Sequence, residues 1–380
     1  MQQPREVLNR RDHAHPFDDH PFLAIWELTR ACDLACVHCR ASAVMYRDPF
    51  ELSLDEGKRL LDRIAAMGTP LMVLTGGDPA KRPDLIQLIE HGAKTGMIMA
   101  VTPSGTPLMT RELLRSMRDA GMARLAVSLD GPTAAVHDAF RRVEGSYEHT
   151  LRILNDAAAL GIERQINTTL GHQNRKTLPA MAAVVREVGA VLWSVFVVVP
   201  TGRATPSLLL DADQLEESLV ELADLAEGAP FDVKTTAAPH FRRIQMQRKM
   251  KAKGVLHDLD ADGHVLGPRG INDAQGFVFI SHHGDVFPSG FLPVSAGNVR
   301  ETDIVELYRT SPLFTELRDA SAIRGKCGVC PFKYVCGGSR ARAYAMTGDM
   351  MEYDPLCSYI PKGWVEPKKS DELLTLRTGS

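Results

Sequence analysis

From Phe22 onward, short apolar runs alternate with longer stretches in which apolar residues recur every three or four positions. The runs are FLAIWEL (Phe22–Leu28), LMVLTGG (Leu71–Gly77), MIMAVTPSG (Met97–Gly105), RLAVSLDG (Arg124–Gly131), RQINTTL (Arg164–Leu170) and LWSVFVVVP (Leu192–Pro200). Runs of this length, bounded by Gly and Pro, predict strands. Between them, Leu54–Met67, Pro83–Thr95 and Thr110–Ala120 carry the spacing of amphipathic helices. Strand–helix alternation repeated this way predicts a parallel α/β sheet, open or curled. TGGDP, TPSG, SLDGP and VPTGRA fall just after the runs, at the strand ends where such folds place their ligands.

The second half reads differently. Residues 206–275 are more polar, with helical patterns at Asp211–Glu227 and His240–Lys253. FVFISHHGDVFPSGF (Phe277–Phe291) predicts a β-hairpin around His-Gly-Asp. This divides the chain into a loose leader (1–20), an α/β core (21–205), a helical linker (206–275), a cysteine-bearing domain (276–360) and a polar tail (361–380). His13, His15 and His20 belong to the leader and read as a solvated tail.

A length of 380 residues accommodates one large domain and a smaller one. With 44% hydrophobic and 24% charged residues the composition is that of a globular protein. A net charge of −3 gives no bulk electrostatic hold on nucleic acid. Val191–Pro200 is too short to span a bilayer, and the first twenty residues lack the apolar core of a signal peptide. The expectation is a cytoplasmic protein with no nucleic-acid and no membrane partner.

The seven cysteines change the picture. They fall in two groups, Cys32, Cys36 and Cys39, then Cys327, Cys330, Cys336 and Cys357. A disulfide framework would leave one thiol over and is unusual in a reducing cytosol. Closely spaced cysteines read instead as ligands of a metal or an iron–sulfur cluster. In ACDLACVHCRA the first three form C-x3-C-x2-C directly after the first strand. Three thiolates hold three irons of a [4Fe–4S] cube and leave the fourth open to a small chelating ligand. The alternative is a zinc site completed by His38, although zinc sites usually draw their arms from separated segments. CGVCPFKYVC followed by DPLC gives C-x2-C-x5-C-x20-C, four thiolates that suit either a saturated cluster or a zinc ribbon.

The first cysteine motif, placed after strand one, resembles the signature of the radical S-adenosylmethionine (SAM) superfamily, and the resemblance runs from Phe22 to about Tyr359. It implies a partial (β/α)6 barrel with a smaller C-terminal domain. It also implies that SAM chelates the open iron and is cleaved by one electron to a 5′-deoxyadenosyl radical. Thr75–Pro79 is similar to the family's Gly-Gly-Glu-Pro, which places Gly76, Gly77, Asp78 and Pro79 at the methionine amino group; Asp78 is one methylene shorter than the usual Glu. Ser104 and Ser128 resemble positions facing the SAM ribose and carboxylate. Asn167 and Thr168 are placed in the same cavity, and Thr201, Gly202 and Arg203 on the segment that passes the adenine.

The second group resembles the auxiliary-cluster site of the SPASM extension. The full pattern has further cysteines, which would fall near GDVFPSGF and at Arg340; this chain has Ser289, Gly290 and Arg340 there. The resemblance therefore implies two [4Fe–4S] clusters in all, the second passing electrons, and an electron donor such as flavodoxin or ferredoxin.

CVHCRASA, SLDGP and PTGRA are most similar to the branch acting on tetrapyrrole side chains in heme and heme d1 biosynthesis, which implies oxidative modification or decarboxylation of such a side chain. The alternative is modification of a ribosomally made peptide, delivered by a separate carrier because the leader has no room for a peptide-binding domain. A zinc-stabilised binding protein without redox chemistry is the third reading. Arg203, His240, Arg242 and Arg243, with His282 and His283, are candidates to hold a carboxylate-rich substrate, or else a solvated helix face and a hairpin turn. Tyr147 and Tyr334 are available as an acid or base, and nothing in the sequence selects either.

Overall fold

The computed structural model describes residues 17–253, 263–265 and 270–365. His13, His15, most of the leader and nearly all of the tail lie outside the described residues.

The strands are β1 (Leu23–Glu27), β2 (Leu71–Thr75), β3 (Ile98–Val101), β4 (Met122–Ser128), β5 (Glu163–Leu170), β6 (Leu192–Val197), β7 (Asp232–Thr236), β8 (Phe277–Ile280), β9 (Asp285–Phe287) and β10 (Gly297–Asn298). Between the first seven run the helices α1 (Leu54–Ala66), α2 (Leu85–Lys94), α3 (Arg111–Asp119), α4 (Ala134–Arg141), α5 (Ser146–Ala159), α6 (Leu178–Glu187) and α7 (Ala212–Ala226). Then come α8 (His240–Lys253), α9 (Ile304–Thr310), α10 (Pro312–Arg318), α11 (Gly325–Gly328) and α12 (Arg340–Thr347). Local chemistry starts the helices. Ser53 and Glu56 form a capping box at α1, and Asp211 and Gln214 form another at α7.

One mixed sheet carries the molecule, in the order β10-β9-β8-β1-β2-β3-β4-β5-β6-β7. β8 pairs parallel with β1, every step from β1 to β7 is parallel, and β9 and β10 add antiparallel. The hairpin at Phe277–Phe291 is present, and it joins the same sheet as the first strand. β7 lies in the stretch that reads as helical. Of its five residues only Val233 is a strongly apolar strand former, so no hydrophobic run marks it.

Alternation along the strands makes two surfaces. Trp26, Met72, Leu74, Met99, Leu125, Val127, Ile166, Trp193 and Val195 are fully buried in the core. Trp26 lies so close to α1 that a Cβ on Gly57 would come within 2.5 Å of its ring. Most of the intervening side chains, among them Ile25, Val73, Ala100, Ala126 and Asn167, face a cavity of about 1460 Å³. Among the described residues no helix is long and apolar enough to cross a membrane.

Candidate active site

The segment after β1 is clamped from both sides, and glycine makes the clamp possible. A Cβ on Gly76 would lie 2.6 Å from the Thr29 carbonyl oxygen, and one on Gly77 2.5 Å from that of Ala31. The amides of Gly77 and Asp78 donate to Thr29 and Ala31, each at 2.7 Å. On the other side Gly202, at φ +61°, would place a Cβ 2.4 Å from the Cys39 carbonyl oxygen, which accepts from the Arg203 amide at 3.0 Å. The three sulfurs sit between these clamps, each beside a polar group. Ser104 Oγ is 3.3 Å from Cys32 Sγ, Arg141 Nη1 3.5 Å from Cys36 Sγ, and the Ala43 amide 3.4 Å from Cys39 Sγ.

Burial pushes the Cys32 thiol up, and the Ser104 hydroxyl and Leu34 amide oppose that. Three partly solvent-shielded sulfurs, each with a polar partner and all lining one cavity, fit the donor set of a cluster held by three thiolates, and Cys32, Cys36 and Cys39 would hold it.

Of the sequence-predicted residues, Gly76, Gly77, Ser104, Ser128, Asn167 and Arg203 line this cavity with the three cysteines. Thr168 is on the opposite face of β5, donating to the Leu129 carbonyl at 2.7 Å and accepting from Trp193 Nε1 at 2.8 Å. Its neighbour Thr169 lines the cavity instead. Asp78 is fully buried behind the Gly-Gly turn. It accepts from Thr106 Oγ1 at 2.8 Å and the Ala80 amide at 3.1 Å, tying the β2 and β3 ends together. Burial pushes its carboxyl up. Pro79, Thr201 and Gly202 also stand outside the cavity lining. Tyr147 donates to the Pro132 carbonyl at 2.8 Å, Tyr334 packs against His264, and neither reaches the cavity.

The sequence did not reveal three features. Asp130 and Arg141 form a buried ion pair at 2.6 Å behind Cys36. His38 is held neutral by burial, its pKa pushed down to about 4, and its Nδ1 has no hydrogen-bond partner. Lys234 enters the cavity from β7 with its pKa lowered to about 8 by burial and by Arg124. Arg124 is paired with Glu163 and Arg40 with Glu27. Arg203 and Lys234 have no ion pair among the described residues, and Arg203 Nε and Nη2 lack hydrogen-bond partners.

The four remaining cysteines gather around a small second pocket with His240, Arg243, Lys326 and Tyr359. Burial and neighbouring cysteine sulfurs push Cys336 and Cys357 up to about 12. As free thiols these groups stay protonated; a bound metal would displace the protons and turn their crowding into ligation. Four converging sulfurs with cationic neighbours fit a dianionic four-thiolate centre. His240 and Arg243 thus stand beside the cysteines, away from the cavity, and Arg243 is paired with Glu216. Arg242 points the other way and lines the cavity. Arg340 is buried and donates to the carbonyls of Met350 and Glu352 at 3.0 and 2.6 Å. Ser289 lines the main cavity beside Gly290. His282 and His283 lie outside both pockets.

Residues 26–185 match the family described as the Radical SAM superfamily. Over 342 residues the chain is 42% identical to a protein of Nitratidesulfovibrio vulgaris, spanning 90% of this chain and 93% of that one. The chain belongs to the radical SAM superfamily, whose enzymes use S-adenosylmethionine and a [4Fe–4S] cluster. That relative is named AdoMet-dependent heme synthase, as is one of Methanosarcina barkeri at 38% identity over 90% of this chain and 97% of its own length. The pre-heme d1 synthase of Dinoroseobacter shibae is 28% identical over 88% of this chain and 85% of its own. Among solved structures, Streptococcus suis SuiB bound to S-adenosylmethionine superposes with a TM-score of 0.71 at 16% identity, covering 90% of this chain and 78% of that one. That likeness establishes the shared fold.

Proposed function

We propose that this enzyme removes a carboxylate from a propionate side chain of an iron-bearing tetrapyrrole, using S-adenosylmethionine as the source of the radical. A [4Fe–4S] cluster held by Cys32, Cys36 and Cys39 would supply the electron that cleaves the sulfonium bond to a 5′-deoxyadenosyl radical. Loss of a hydrogen atom, carbon dioxide and one electron then converts a propionate to a vinyl group. The electron needs an acceptor, and the four-cysteine site next to the cavity is suited to hold one as a second [4Fe–4S] cluster.

The observation that carries this reading is the cavity. At about 1460 Å³ it exceeds the range of about 300–1,000 Å³ usual for one ligand, so it has room for SAM and a second large molecule. Arg203 and Lys234 line it without an ion pair among the described residues. A partly buried cation of this kind favours an anionic partner, which propionates provide. The relatives named heme synthase support the same substrate class.

Titration with iron-coproporphyrin, followed at the Soret band, tests the proposal. Micromolar binding is expected, weakened about ten-fold or more by Arg203→Ala and by Lys234→Met, as loss of a charge-assisted contact predicts. No Soret shift with any iron tetrapyrrole would sink this substrate class and favour a peptide. A cytoplasmic setting and a flavodoxin- or ferredoxin-type donor complete the proposal.

A further inference from the structure

We propose that Asp48, His282 and His283 form a third metal site, binding one divalent first-row transition ion, zinc in particular, apart from both cysteine groups. One donor atom from each of the three lies within 4.8 Å of the others. His283 Nε2 is 3.1 Å from Asp48 Oδ2, yet it lies outside hydrogen-bonding geometry and has no hydrogen-bond partner. Two donors, each about 2.0–2.2 Å from a shared zinc in a tetrahedral site, stand roughly 3.3 Å apart, close to the separation seen.

The surroundings suit coordination. His282 is buried, with Nδ1 3.1 Å from Glu27 Oε1, which leaves Nε2 as the ring's lone pair. A carboxylate behind a histidine fixes the tautomer and raises its basicity, as at many zinc centres. Glu27 is itself buried and balanced by Arg40, so its charge is not free to draw the ion inward. Asp48 commits Oδ1 to the Phe50 amide at 2.8 Å and turns Oδ2 toward His283. The two imidazoles lie side by side, with centroids 4.0 Å apart. A simple Asp48–His283 ion pair accounts for the His283 Nε2 contact but not for the second ring beside it.

Two imidazoles and one carboxylate suit zinc and its neighbours, not magnesium or calcium. Partial exposure of Asp48 and His283 leaves room for water as a fourth ligand. The ligands come from two elements, the 43–50 segment that follows the cysteine motif and the β8–β9 hairpin. An ion here ties one to the other. The role is structural, and reductive cleavage of SAM does not depend on it.

Cluster-loaded holoenzyme is titrated anaerobically with zinc and examined by zinc K-edge absorption and hydrogen exchange. The expected result is about one zinc per chain with an imidazole scattering pattern and slowed exchange across residues 43–50. Asp48→Asn and His283→Gln should each weaken binding about ten-fold or more and remove the protection. Both should cleave SAM as the wild type does, which also reports that they fold. A sulfur shell around the zinc, unchanged affinity in both variants, or no binding at all would each overturn the assignment.

Discussion

In its proposed role, Lys234 sets function against stability. Its ammonium is partly buried beside Arg124, and burial first, then that neighbour, lower its pKa from 10.5 to about 8. Between about pH 8 and 10.5 the unfolded chain keeps a proton that the folded chain has released. Stability therefore rises with pH across that window, and the full penalty applies below it. The substrate-free Lys234→Met variant should accordingly be more stable than wild type at pH 7, with the gain shrinking toward pH 10. Urea midpoints at pH 7, 9 and 10 measure this, and a lower midpoint for the variant at pH 7 would refute it. The same variant should bind the tetrapyrrole worse, because a carboxylate is what makes the buried charge tolerable. Arg203 poses the same demand nearer the cysteines, with Nε and Nη2 unsatisfied.

At the scale of elements, the clamps around the cysteine loop act through backbone contact, so they admit a sharp test. A Cβ at Gly77 would meet the Ala31 and Arg30 carbonyl oxygens at 2.5 and 2.6 Å, and neither can swing away as a side-chain tip can. Gly77→Ala should displace the loop bearing Cys32 and leave the distant four-cysteine site intact. Reconstituted iron should fall from about eight to about four per chain, with the remaining signal that of a four-thiolate cluster. Full iron content in the variant would count against the clamp. These glycines were legible in the sequence because a Gly-Gly turn after a strand has a local signature. What was lost is what helices and strands do to neighbours. On β5, period two sends Asn167 into the cavity and Thr168 into the core, a distinction that the bare motif does not show. On α8, about 100° separates successive residues, so Arg242 reaches the cavity while Arg243 turns to the cysteines. The sequence showed only a basic cluster. Arg141 was invisible because the sulfur it faces, Cys36, is distant along the chain, and nothing local pairs it with Asp130.

Over the whole molecule the two cysteine groups, more than 280 positions apart in sequence, line two separate pockets, and β8, the first strand of the C-terminal part, returns alongside β1. The partition between the cavity and the second group is thin. Gly270, Ile271, Asn272 and Asp273 line the cavity. Asn272 Nδ2 donates to the Gly338 carbonyl at 2.9 Å, and Arg242 Nε to that of Val335 at 2.8 Å, on either side of Cys336. In the proposed reaction this hydrogen-bonded chain would lie between a substrate in the cavity and the four sulfurs, a suitable route for the departing electron. The two groups should therefore fail differently. Cys36→Ala should abolish reductive cleavage of SAM, since the first site loses one of its three ligands. Cys357→Ala should retain cleavage to 5′-deoxyadenosine and methionine at near wild-type rate while losing at least about 100-fold in vinyl product, because the substrate radical has nowhere to send its electron. Retained cleavage also reports a folded core, so the loss cannot be put down to collapse. Equal loss of cleavage in the two variants would show that the second site serves the first. Undiminished vinyl formation in Cys357→Ala would show that the electron leaves by another route.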